Sequence, residues 1–101
     1  MSNSQRRKGA RGENELVGYL RAHGFDAEKI SGMYKEGADV TAFNGRVLEV
    51  KRRANPVSRQ LEGWLEDVSM VVVRADRGEW MCFLRLDELL DLLDEAAGRH
   101  G

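Results

Sequence analysis

Two apolar runs, residues 38–43 and 46–52, flank the dipeptide Asn44-Gly45. No other feature constrains the fold so tightly. Asn-Gly between alternating apolar residues is a strong local signal for a β-hairpin, because both residue types accept the left-handed backbone that tight turns require. The loop length then decides which side chains meet. A two-residue turn pairs Phe43 with Arg46 and sets Asp39 opposite Val50. A three-residue loop, Phe43-Asn44-Gly45, pairs Ala42 with Arg46 and sets Asp39 directly opposite Glu49 on the same face. We expect the three-residue loop, built as a type I turn followed by a left-handed Gly45, or an equivalent bulge.

The rest of the chain supplies partners for this hairpin. Leu16, Val17 and Leu20 recur at helical spacing, which predicts a helix over residues 11–23 with Gly24 as its stop. Residues 1–8 read as a mobile basic arm. Residues 25–30 could form a short strand, and 31–37 read as a loop. Asn55-Pro56 suits the start of a second helix, with Asn55 as N-cap, Pro56 in the first turn, and Leu61, Trp64, Leu65 and Val68 on its apolar face. Residues 70–74 and 79–84 read as strands. Asp87 is placed to cap a last helix carrying Leu86, Leu89, Leu90, Leu93 and Ala97 on one side, with Leu92 outside that stripe. Cys82, Trp64 and Trp80 are expected in the core. The succession helix, three strands, helix, two strands, helix describes one α/β domain, residues 1–101, with a mixed sheet.

Composition narrows the function classes. The 42% apolar and 33% charged content belongs to a folded, water-soluble chain rather than a disordered one. No run approaches a membrane span, and the N-terminus lacks the apolar stretch of a signal peptide. A single cysteine forbids an intrachain disulfide, so a cytoplasmic location is expected. Net charge is only −1, yet residues 1–59 hold 12 Lys and Arg against 7 Asp and Glu, and residues 60–101 hold 4 against 10. The basic N-terminal part can present a phosphate-binding face; an ordinary protein with an acidic last helix fits the same counts.

Three acids stand where acids are costly. Glu13 precedes Leu16, Val17 and Leu20 by three, four and seven residues and falls on or near their stripe. Glu49 interrupts the apolar run Val47-Leu48-Glu49-Val50, and Asp39 opens the preceding strand. Converging carboxylates repel one another unless a cation joins them. Lys51, two residues after Glu49, projects from the same strand face. Two carboxylates and an ammonium are what metal-assisted phosphodiester hydrolysis needs: a hard cation such as Mg²⁺ on the acids, and the lysine to orient water or stabilise developing charge. A solvated Glu-x-Lys pair, a strand-edge Asp39 and a Glu13 favoured by the helix dipole are the alternatives. His23, near a helix end, reads as a dipole partner.

Lys8-Gly9, Glu13, Glu15-Leu16-Val17, Leu20, Gly24-Phe25, Ser31-Gly32, Ala38-Asp39-Val40 and Leu48-Glu49-Val50-Lys51, in this order and spacing, resemble the archaeal Holliday-junction resolvases and their phage relatives. These belong to the PD-(D/E)XK nuclease superfamily, and the likeness covers residues 8–53. It implies a restriction-endonuclease-like core, a mixed sheet flanked by helices, and a homodimer acting on four-way DNA junctions in recombination, repair or phage DNA processing. It implies Mg²⁺, replaceable by Mn²⁺, bound by Asp39 and Glu49 with Glu13 and Val50 beside them. By the same resemblance Lys51 is the catalytic lysine, Glu13 the helix-borne acid and Ser31 a loop residue that assists, while Gln60 matches a glutamine of many members. Lys8, Arg11, Lys35, Arg52 and Arg53 are the expected DNA contacts. Ala38 replaces the proline before the first acid, and residues beyond about 60 match only in general pattern. A nuclease of the same chemistry on other DNA, or a binding module without catalysis, are the alternatives.

Overall fold

The computed structural model describes residues 3–30 and 39–98, with side chains from Arg11 onward. The chain divides into two compact units, Met1–Ala54 and Asn55–Gly101. Among the described residues no helix is long and apolar enough to cross a membrane.

The first unit begins with helix α1, Asn3–Ala22. Residues 3–8, read from the sequence as a mobile arm, are its first turns. Gln, Arg and Lys are good helix formers, and nothing in residues 3–8 is a proline or a β-branched residue that would stop the helix. Gly24 ends it as expected. Its φ is +88°, and the Gly24 and Phe25 N–H groups donate to the carbonyls of Arg21 and Leu20. This is the paired bonding by which a left-handed glycine satisfies the last carbonyls of a helix.

Strands β1 (Ala27–Lys29), β2 (Val40–Ala42) and β3 (Arg46–Leu48) follow, each shorter than its apolar run. They form an antiparallel sheet in the order β1-β2-β3, with Ala27 opposite Ala42 and Ala42 opposite Arg46. Val17 and Leu20 of α1 are buried, as are Ala27, Val40 and Ala42, and these five make the core of this unit.

The second unit holds α2 (Arg59–Trp64), a 3-10 turn (Leu65–Asp67), β4 (Met70–Val73), β5 (Met81–Leu84) and α3 (Leu86–Ala96). Helix α2 starts later than Asn55-Pro56 suggested. Ser58, extended at φ −145°, is its N-cap, and its hydroxyl accepts from Leu61 N–H. Arg85, not Asp87, is the N-cap residue of α3 and makes no side-chain cap bond; Asp87 lies in the first turn, where its charge suits the helix dipole. Strands β4 and β5 pair antiparallel, Val71 opposite Phe83. Among the described residues, two antiparallel sheets, ordered β1-β2-β3 and β4-β5, stand where one mixed sheet was expected.

Among the described residues of the second unit, Leu65 and Leu90 are the buried apolar side chains. Trp64, Trp80 and Cys82, expected in a core, are exposed. A unit of this size cannot cover both faces of a two-stranded sheet. Trp80 instead carries the Arg74 guanidinium over its ring at 5.0 Å. Leu92 is exposed, as its place outside the α3 stripe implied.

Two substitutions separate packing from backbone conformation. Leu20→Ala removes a wholly buried side chain and is expected to cost ~2–5 kcal/mol of unfolding free energy. Gly24→Ala meets no atom within 4 Å and is expected to cost about 1–2 kcal/mol through its left-handed φ alone. Urea unfolding of the two proteins checks both values.

Candidate functional site

The hairpin register decides whether Asp39 and Glu49 can meet. Ala42 pairs with Arg46, Thr41 with Val47 and Val40 with Leu48, so the loop has three residues, as the favoured alternative requires. Its conformation differs from expectation: Phe43, Asn44 and Gly45 are all left-handed, at φ +54°, +64° and +79°, rather than a type I turn closed by one left-handed glycine. Two contacts offset the strain at Phe43. Its carbonyl accepts from Arg46 Nη1 at 2.7 Å, and its ring meets the Phe25 ring edge-on at 5.9 Å.

Continuing this register by one residue brings Asp39 opposite Glu49. The ladder breaks at that step. Asp39 N–H donates to the Leu48 carbonyl at 2.9 Å, and Asp39 Oδ2 accepts from Val50 N–H at 2.7 Å. One carboxylate oxygen of Asp39 therefore stands in for a backbone acceptor and ties the start of β2 to the chain just past Glu49. Strand β3 ends at Leu48 for the same reason, and Glu49, Val50 and Lys51 continue outside the sheet.

Lys51 Nζ contacts Glu49 Oε1 at 2.8 Å; the two side chains are 59% and 52% exposed. The Lys51 pKa is raised above its ordinary 10.5, first by the hydrogen bond to Glu49 and then by the Glu49 charge, with the Asp39 charge acting in the same direction. The ammonium thus senses both carboxylates. As oxygen donors, the carboxylates of Asp39 and Glu49 and the carbonyl of Val50 are a hard set that fits Mg²⁺ or Mn²⁺.

Glu13 lies on α1, where its carboxylate is 4.0 Å from Lys29 Nζ on β1. Among the described residues no three His, Cys, Asp or Glu side chains gather into a metal-holding group, so Glu13 is not brought together with Asp39 and Glu49. Ser31, Lys35 and Ala38 lie outside the described residues, as does the side chain of Lys8. Arg11 and Arg53 are exposed, and Gln60 is exposed on α2. Arg52, expected on DNA, is paired with Glu15 of α1 at 3.3 Å. His23 donates through Nδ1 to the Tyr19 carbonyl at 2.8 Å, a helix-end contact.

Sequence reasoning missed Gly12. A Cβ there would lie 3.4 Å from Arg52 Cβ and 3.7 Å from Val50 Cγ1. The signal was present, since positions 12, 16 and 20 share one helix face and a glycine on a buried stripe marks a close approach.

Scans against family models, curated proteins and solved structures return no match for this chain.

The Lys51–Glu49 contact has a defined pH signature. A raised lysine pKa means that its contribution to stability is present below the unfolded-state value and is lost as pH rises through the higher folded value. Across the neutral range Lys51 therefore adds no pH dependence. In Glu49→Gln the Lys51 pKa, followed by NMR of its side chain, is expected to fall back toward 10.5; an unchanged titration would show that the 2.8 Å contact is not kept in solution.

Proposed function

We propose that the chain is a metal-dependent DNA endonuclease, acting on branched DNA such as a four-way junction as a homodimer. The observation that carries this reading is the grouping at the open end of the β2–β3 hairpin: Asp39 tied to Val50 N–H, and Lys51 on Glu49 with the Asp39 charge within reach. The ordered motifs between Lys8 and Lys51 support it.

In this reading Asp39, Glu49 and the Val50 carbonyl would hold the cation. When bound, a divalent cation supplies acidified water and a polarised phosphate. Asp39 would keep one oxygen on Val50 N–H and leave the other for the cation. Lys51 neutralises Glu49 across their 2.8 Å contact, and beside a bound cation its ammonium would orient water or stabilise charge developing on the phosphate. Arg11 and Arg53, on the same basic unit, serve the flanking phosphates without reading sequence. Two copies related by a two-fold axis would cut two strands of a pseudo-symmetric junction.

The test is cleavage of a labelled four-way junction beside a matched linear duplex, in Mg²⁺ and in EDTA. Mg²⁺-dependent paired nicks on the junction, reduced about 100-fold or more in Glu49→Ala and Lys51→Ala, are expected of groups acting on the transition state. Cleavage of both substrates alike would keep the nuclease and discard the junction preference. Binding without cleavage at any divalent metal would replace the enzyme by a DNA-binding module.

A further inference from the structure

Helix α1 packs against the segment that follows Glu49. Gly12 is buried, and a Cβ there would stand at ordinary contact distance, 3.4 Å from Arg52 Cβ and 3.7 Å from Val50 Cγ1, so α1 packs against both and leaves room for a methyl but not for a long side chain. One helical turn further on, Glu15 takes the Arg52 side chain at 3.3 Å. The segment held this way contains Val50, whose N–H fixes the Asp39 carboxylate, and Lys51, whose ammonium sits on Glu49. This segment has left the sheet, so no ladder bond holds it.

We infer that Gly12, Glu15 and Arg52 form a clamp by which α1 positions the segment from Glu49 to Arg52, and that Arg52 is a positioning residue rather than a phosphate contact. The function of the clamp rests on the nuclease reading, but the clamp itself does not. The helix backbone supplies a flat stop against Val50 and Arg52. The ion pair keeps Arg52 directed at the helix, and since Arg52 follows Lys51 directly, the lysine is turned toward Glu49. A residue larger than alanine at position 12 pushes the segment outward and lengthens the Val50 N–H bond to Asp39. Arg52→Glu opposes two acids and loosens the same segment by repulsion.

The deciding experiment is amide hydrogen exchange by NMR on the whole chain, with Mn²⁺ affinity by calorimetry beside it. Gly12→Leu is expected to speed exchange of the Val50 amide about tenfold, while the Val40 and Ala42 amides keep their rates. Gly12→Ala, with a methyl at ordinary contact distance from Arg52, is expected to stay within about twofold. Because Gly12→Leu can fail to fold, Arg52→Glu and the exchanged pair Glu15→Arg with Arg52→Glu form a second series. The single change is expected to speed Val50 exchange about threefold or more, and the exchanged pair to bring it back within about twofold of the native rate. A Val50 rate unmoved in folded Gly12→Leu, or one that the exchanged pair does not restore, overturns the clamp. Mn²⁺ affinity that falls in parallel with the Val50 rate supports positioning of the cation site. Absence of Mn²⁺ binding by the native protein overturns the nuclease reading and leaves the clamp to be judged by the Val50 amide alone.

Discussion

The three left-handed residues at Phe43, Asn44 and Gly45 fix the register on which the first unit depends. A strand has a side-chain period of two, so a loop one residue shorter would turn every residue of β3 to the other face of the sheet. Val40 and Ala42 would still be buried, but Asp39 would then stand opposite Val50 rather than Glu49. The chain accepts a costly left-handed phenylalanine to avoid this. Asn44 and Gly45 take the conformation readily, whereas Phe43 relies on the Arg46 bond to its carbonyl and on the Phe25 ring.

Magnitudes show which contacts make the fold and which merely use it. An exposed ion pair such as Arg52–Glu15 contributes ~0–1 kcal/mol. A wholly buried Leu20 contributes ~2–5 kcal/mol by comparison. The core of Val17, Leu20, Ala27, Val40 and Ala42 therefore sets the frame, and the charged groups at the open end of the hairpin are placed by it. Asp39 is intermediate in character: it is half-buried and spends one oxygen on a backbone N–H, which makes it part of the frame as well as of the site.

What could be read in the sequence was local and periodic. Gly24 as a stop, the Leu16-Val17-Leu20 stripe and the three-residue loop each depend on a few neighbouring residues, and each stands as expected. The misses depend on relations between distant residues. Trp64, Trp80 and Cys82 have the chemistry of core residues, but a two-stranded sheet and two short helices leave them no core to enter. The Glu15–Arg52 pair joins positions far apart in the chain, and charge alone could not distinguish it from a DNA contact. The early start of α2 was offered by Asn55-Pro56 but taken by Ser58, because only the serine reaches an N–H in the first turn.

The placement of charge bears on the choice between the proposed nuclease and a binding module. The unit 1–54 is basic, with 11 Lys and Arg against 7 Asp and Glu, and the unit 55–101 is acidic, with 5 against 10. A polyanion is drawn to the first unit and repelled by the second. Within the first unit, however, Asp39 and Glu49 sit at the end of the hairpin beside Lys51 and Arg53. A module that only binds phosphate gains nothing from two acids there, since each repels the backbone it must hold. A protein that places a divalent cation between itself and the phosphate gains from both: the cation reverses the sign of the acids, and the surrounding basic residues keep the DNA close while it does so. The same two carboxylates are thus unfavourable for binding alone and necessary for metal-assisted cleavage, and this asymmetry, more than the presence of any one residue, favours the enzyme over the module.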